Sequence, residues 1–226
     1  DIYMLYTGGT TGMPKGVMYD IGGLTKYFET IGFPLIGKMP PEDAADVAGL
    51  VADVVANGGR LISLPGAPLM HGTGIWLGAM VPQLGGATVV TLQSRSLDAN
   101  EVLTLLQREQ CTNLTIVGDS FAKPIIRAFD AAVAAGTPYD LSKLKLIVSS
   151  GVMWTAEVKE QLIDRIEQVM LLDAMGSSEG SMGTSISMKG LPPATAKFTK
   201  NPGAKVFTDD DREFIEKSRA VNAQGL

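Results

Sequence analysis

The chain has 226 residues, 45% of them hydrophobic and 19% charged, a balance that suits a folded core and excludes a disordered polymer. Its net charge of −5 excludes the clustered basic surface that a nucleic acid would need. A lone cysteine, Cys111, supplies neither an internal disulfide nor a metal cluster, and suits a reducing, cytoplasmic compartment.

In chain order, Ile2 to Tyr6 form an apolar, aromatic run with strand character, and residues 17–19 offer a short return that predicts a hairpin. An opening inside an element, without an initiator Met, reads as the middle of a longer protein. Residues 22–33 and 41–56 predict helices, the second with proline at its start and acidic residues in its first turn. Strand and helix signals then alternate. Strands are expected at 60–64, 87–92, 113–117, 144–149 and 169–173. Helices are expected at 73–84, from a Ser96-Leu97-Asp98 cap to 109, at 120–135 and at 155–166. The most apolar stretch, 74–90, is interrupted by Pro82, Gln83 and a glycine pair, so it predicts no transmembrane segment. No basic leader precedes an apolar run, so no secretory signal is expected.

This rhythm predicts an α/β fold: a largely parallel sheet flanked by helices on both faces, with ligands at the carboxyl ends of its strands. Beyond residue 183 the texture changes. Segments 197–200 and 205–208 flank the turn Asn201-Pro202-Gly203 and predict an antiparallel hairpin or partial barrel, followed by a tail, 217–226, that is expected to fray. The expected units are therefore an α/β core over 1–182 and a β segment over 183–226.

The most informative segment runs Tyr6-Thr7-Gly8-Gly9-Thr10-Thr11-Gly12-Met13-Pro14-Lys15-Gly16. Its glycines let the backbone approach a ligand, its threonines add hydroxyl donors, and Lys15 adds a positive charge, a set suited to polyphosphate. A Walker A loop would need Gly-Lys-Ser/Thr leading into a helix. Here Pro14 precedes Lys15, Gly16 follows it, and a β-rich run comes next. The loop is therefore expected to cover phosphates from between two strands.

Two further segments carry chemistry. Pro68-Leu69-Met70-His71-Gly72-Thr73-Gly74 contains the single histidine of the chain. Leu172-Asp173-Ala174-Met175-Gly176-Ser177-Ser178-Glu179-Gly180 follows an apolar strand. Between them, Ser149-Ser150-Gly151-Val152-Met153 forms a strand-to-helix turn.

Together these segments resemble the acyl-adenylate-forming superfamily, which includes acyl-CoA synthetases, firefly-type luciferases and the adenylation domains of peptide synthetases. The first segment matches the family's Tyr-Thr-Ser-Gly-Thr-Thr-Gly-x-Pro-Lys-Gly loop except at Gly8, where serine is usual. The His71 segment is similar to the family's Pro-Leu-x-His-x-x-Gly, and Met175 to Glu179 to its Tyr-Gly-x-Thr-Glu, with Met175 where an aromatic residue often stacks on adenine. The resemblance implies ATP held by Thr7, Gly8, Gly9, Thr10, Thr11, Gly12 and Lys15, with Gly151, Val152, Met175, Gly176, Ser177 and Ser178 around the nucleotide. It implies catalytic roles for Lys15, Ser178 and Glu179, with Glu179 on Mg²⁺, and an acyl pocket at His71, Gly72 and Trp76. For His71 a positioning role is expected, because a carboxylate attacking ATP has no proton to lose.

The fatty-acyl-CoA ligase branch, including ligases of steroid side chains, is the nearest pattern. The implied reaction joins a carboxylic acid, ATP and coenzyme A: acyl-AMP forms first, then a thioester. Two alternatives stay open: an adenylating enzyme with another acceptor, such as a carrier protein, and a nucleotide-binding module without chemistry. The family's later ribose-binding aspartate, hinge and C-terminal lid lysine have no match before Leu226, so the chain alone is expected to show little ligase activity. Acyl specificity and oligomeric state are not readable from these residues.

Overall fold

A computed structural model of the chain describes residues 1–7, 13, 15–178, 180–201, 204–205 and 207. Its first element is the expected hairpin. Strand β1 (Ile2–Thr7) pairs antiparallel with β2 (Lys15–Asp20), in a register that sets Tyr3 opposite Tyr19, Leu5 opposite Val17 and Thr7 opposite Lys15. Strand alternation puts those six side chains on one face, and Ile2, Met4, Tyr6 and Met18 on the other, exposed face. Asp20 ends β2 and caps helix α1 (Ile21–Gly32), its carboxylate accepting from the Gly23 amide at 2.7 Å.

The expected 41–56 helix begins later than its prolines suggest. The Asp43 carboxylate accepts from the Ala45 amide, a 3₁₀ turn covers Ala44–Asp46, and α2 runs Val47–Ala56. Proline cannot donate a backbone hydrogen bond, so Asp43 rather than Pro40-Pro41 sets the start.

A seven-stranded sheet follows, in the order β4 (Thr88–Val89), β3 (Ile62–Pro65), β5 (Asn113–Ile116), β6 (Leu146–Ser150), β7 (Met170–Ser177), β8 (Gly180–Ser187) and β9 (Thr199–Lys200). The first five are parallel; β8 and β9 are antiparallel additions. Strand β4 is shorter than the expected 87–92, as befits an edge strand paired on one side only. The partner expected for 197–200 was 205–208, of which Val206 and Thr208 lie outside the described residues; among those described, β9 pairs with β8. The turn residues Pro202 and Gly203 and the tail 217–226 also lie outside them.

Register explains the core. Leu64, Leu114, Ile147 and Leu171 form one row across β3, β5, β6 and β7, each no more than 1% exposed. Helices α4 (Ala99–Arg108), α5 (Gly118–Ala134) and α6 (Ala156–Arg165) cover this face through Val102, Leu103, Leu106, Ile125, Ile126 and Leu162. The opposite face, where Ser63 and Thr115 lie, receives a π-helical stretch, Thr73–Met80, that runs on into α3 (Val81–Leu84). Gly78 permits that approach: a Cβ there would meet Pro65 Cβ at 2.6 Å, and its carbonyl accepts from the Ser63 hydroxyl at 2.8 Å. Helices thus lie on both faces of a mainly parallel sheet. Among the described residues no helix is long and apolar enough to cross a membrane.

Candidate functional site

The carboxyl ends of β3, β5, β6 and β7 sit side by side and lead into the segments singled out by the sequence. From β3 the chain passes through Gly66 to Gly72. From β5 it turns at Gly118, from β6 at Gly151, and from β7 at Ser178. Ser150 pairs with Ala174, so Gly151 and Met175 are the next residues along two neighbouring strands, whose spacing is about 4.8 Å.

The Gly151 turn is held from below. Gly118, at φ 47°, donates its amide to the Ser149 hydroxyl at 2.8 Å. A side chain at 118 would also strike the Met153 carbonyl at 2.5 Å. Asp119 completes the brace by accepting from the Thr155 amide at 2.9 Å and the Thr155 hydroxyl at 3.0 Å. Burial opposes ionisation of Asp119, but the Thr155 amide and Lys123, 3.1 Å away, outweigh it and hold the carboxyl below its usual range. Val152 and Met153, at 50% and 63% exposure, are left at the surface together with Gly151.

On β7, Asp173 makes a buried ion pair with Lys159 of α6 at 2.7 Å, and the same ammonium donates to the Ala194 carbonyl at 3.2 Å and lies 5.4 Å from the Trp154 ring. Burial pushes the Asp173 carboxyl up, with Lys159 pulling the other way. This pair ties the strand bearing Met175, Gly176, Ser177 and Ser178 to the helix behind it.

The hairpin reaches the same edge. The Tyr19 hydroxyl donates to the Ser178 carbonyl, and the Tyr19 ring meets Trp76 edge-on with centroids 5.3 Å apart. Thr7 and Lys15 stand opposite each other at the far end of the hairpin, on the face that carries Tyr19, with the Thr7 hydroxyl 3.4 Å from the Lys15 carbonyl. Gly72 lies against the Trp76 ring. The His71 side chain is exposed, and its backbone begins the π-helical stretch by accepting from the Ile75 amide at 3.0 Å.

The structure therefore gathers Trp76, Gly72, Ser178, Gly151 and Met175 with the hairpin along one edge. Gly8, Gly9, Thr10, Thr11, Gly12 and Glu179 lie outside the described residues. Sequence reasoning missed Tyr19, Gly118 and Asp119. The Gly118-Asp119-Ser120 turn after β5 was a usable signal; nothing local marked Tyr19, whose hydroxyl partner Ser178 is 159 residues away along the chain.

A mainly parallel sheet with glycine turns at its carboxyl edge and a hairpin beside it is thus the architecture to compare with known proteins. The family model of AMP-binding enzymes matches residues 2–215, and the chain belongs to that family. It is 33% identical over 208 residues to the medium-chain acyl-CoA ligase Mig of Mycobacterium avium, covering 92% of this chain and 36% of that one. It is 31% identical over 218 residues to a 3-oxocholest-4-en-26-oate–CoA ligase of Rhodococcus rhodochrous, covering 96% and 38%. The chain thus spans somewhat over a third of the length of these curated relatives. Among solved structures, the N-terminal subdomain of Klebsiella oxytoca NpsA in complex with 3-hydroxyanthranilyl-AMSN superposes with TM-score 0.61 at 16% identity, over 93% of this chain and 48% of that one. The luciferase-like enzyme of the Zophobas morio mealworm gives 0.60 at 17% identity, over 93% and 44%. At these identities the structural likeness concerns the fold.

Proposed function

We propose that this chain is the nucleotide-binding part of an AMP-forming acyl-CoA ligase that activates a fatty or steroidal carboxylic acid. The reading rests above all on the Tyr19 hydroxyl against the Ser178 carbonyl, which brings the Thr7–Lys15 hairpin to the strand ends that carry Gly151 and Met175. The curated relatives named as acyl-CoA ligases support the same acceptor and acid classes.

In the proposed reaction a carboxylate oxygen attacks the α-phosphorus of ATP. The oxygen–phosphorus bond forms as the bond to the bridging oxygen breaks, and pyrophosphate leaves. Coenzyme A sulfur then attacks the acyl carbonyl, a thioester forms, AMP departs, and the thiol proton passes to solvent. Lys15 and the Thr7 to Gly12 loop would hold phosphate oxygens, Gly151, Val152 and Met175 the adenine, and Gly176, Ser177 and Ser178 the α-phosphate side. Met175, at 36% exposure, offers a polarizable thioether to an aromatic ring. His71, Gly72 and Trp76 would border the acyl group.

Among the described residues no three His, Cys, Asp or Glu side chains converge. A divalent ion here would take most of its ligands from phosphate and water, the habit of Mg²⁺, with Glu179 as its carboxylate. Bound in that way it supplies charge neutralisation for the departing pyrophosphate. Cys111 is a free, buried thiol whose pKa burial pushes up to about 11, so it stays protonated and takes no part in the proposed chemistry.

The test is acid-dependent ATP–pyrophosphate exchange in the complete protein that carries this sequence, screened with fatty, steroidal, aryl and amino acids. Fatty or steroidal acids should lead, and Lys15→Ala and Ser178→Ala should slow exchange by about 10²-fold. Unchanged exchange in Glu179→Ala would remove the catalytic assignment of that residue, and preference for amino acids would refute the ligase reading.

A further inference from the structure

We infer that Tyr19 is a positioning residue, a clasp that holds the phosphate-loop hairpin, the Trp76 segment and the β7–β8 turn in one fixed arrangement. The hairpin needs such a clasp. Among the described residues, strands β1 and β2 pair with each other and form no ladder with the seven-stranded sheet. Its aim therefore depends on side chains and on α1, which follows it directly.

The contacts converge on Tyr19. Its ring lies between Tyr3, 6.1 Å away across the hairpin, and Trp76, 5.3 Å away at 90°. Trp76 in turn packs on Phe28 of α1 at 5.9 Å. Leu24, Phe28 and Val81 form the buried centre of this cluster, distinct from the main core. The Tyr19 hydroxyl then reaches past Trp76 to the main-chain carbonyl of Ser178. One side chain thus touches all three segments. Because the acceptor is a backbone oxygen, the bond fixes the path of the turn and leaves the Ser178 side chain out of it.

Placement along the strand gives the clasp leverage. Lys15 and Tyr19 are four residues apart on the same face of β2, so their Cα atoms are separated by about 13 Å. A small rotation of the hairpin about Tyr19 would displace Lys15 through that arm. Gly72 is part of the same device, since a Cβ there would come within 3.0 Å of the Trp76 ring that Tyr19 packs on.

The functional consequence rests on the ATP reading above; the clasp itself does not. The experiment is amide hydrogen exchange on the complete protein that carries this sequence, followed segment by segment in wild type, Tyr19→Phe and Tyr19→Ala, with tryptophan fluorescence and ATP titration on the same samples. Tyr19→Phe removes the hydroxyl and keeps the ring. It should speed exchange of β1, β2 and residues 177–181 by about 10-fold, while β5 and β6 exchange as before. Its fluorescence should match wild type, whereas Tyr19→Ala should shift it by losing the Trp76 edge contact. ATP affinity should fall several-fold in Tyr19→Phe. Wild-type exchange in Tyr19→Phe, or equal acceleration of every segment, overturns the clasp, and Tyr19→Phe decides the matter if Tyr19→Ala does not fold. A wild-type chain that binds no ATP counts against the nucleotide reading, and the exchange pattern still judges the clasp.

Discussion

The parallel sheet and the β1–β2 hairpin carry neighbouring parts of the candidate site but are secured by different means. In the sheet, β3, β5, β6 and β7 are laced by backbone ladders and covered on both faces, so the turns at Gly118 and Gly151 inherit a rigid base. Among the described residues the hairpin has a ladder only within itself, with one packed face and one exposed face bearing Ile2, Met4, Tyr6 and Met18. A turn built on the sheet is fixed by many redundant contacts. The hairpin strands are aimed by a few named side chains.

Substitutions can break or sharpen this contrast, and the largest effects belong on the sheet side. Lys159→Ala should destabilise the chain by about 3–5 kcal/mol in urea unfolding, because it strands the buried Asp173 carboxylate. The paired change Lys159→Met with Asp173→Leu should recover most of that loss. If the single variant were as stable as wild type, the ion pair would not be the tie between α6 and β7.

Leu114→Ala, in the centre of the four-strand row, should cost about 2–5 kcal/mol by the same measurement. Gly118→Ala combines a positive φ with a 2.5 Å clash at the Met153 carbonyl, so a loss of about 1–3 kcal/mol is expected, with increased exchange in residues 151–155. A neutral Gly118→Ala would show that the Gly151 turn is less tightly braced than its contacts imply.

Smaller effects follow at the surface. The Arg165 guanidinium bonds both Asp130 oxygens at 2.7 Å and lowers that carboxyl below its usual value. A depressed folded-state pKa gives stability that is present above the unfolded value, about pH 4, and is lost as pH falls through the folded one. Wild type should therefore exceed Asp130→Asn above pH 4 and converge with it in acid. The pair is half exposed, so the gap should not pass about 1 kcal/mol. Smallest of all, Met18→Ser on the exposed hairpin face should move stability by no more than about 0.5 kcal/mol. A large loss there would mean that the face is packed in solution.

Much of the fold was legible because its signals are local. Short apolar strands separated by amphipathic helices predicted the α/β sheet, and Asp98 was readable as a cap, its carboxylate accepting from the Asn100 and Glu101 amides at 2.9 and 3.2 Å. Element limits were less legible where neighbours decide them. Asp43 moved the start of the α2 region past its prolines, and an edge position shortened β4. The register that carries β7 on to Ser177 comes from pairing with β8, well beyond the expected end at 173.

The same division holds for the site. Which segments are expected to carry phosphate-type and acyl-type chemistry could be read without the fold, since glycine, threonine and lysine at fixed spacing are properties of contiguous residues. Only the tertiary structure decided how those segments meet. Parallel strands bring Gly151 beside Met175, Asp119 braces a turn 36 residues away, and Tyr19 reaches Ser178 across 159 residues. Contacts of that range are selected by packing and by the pairing of buried polar groups, and no window of sequence contains both partners.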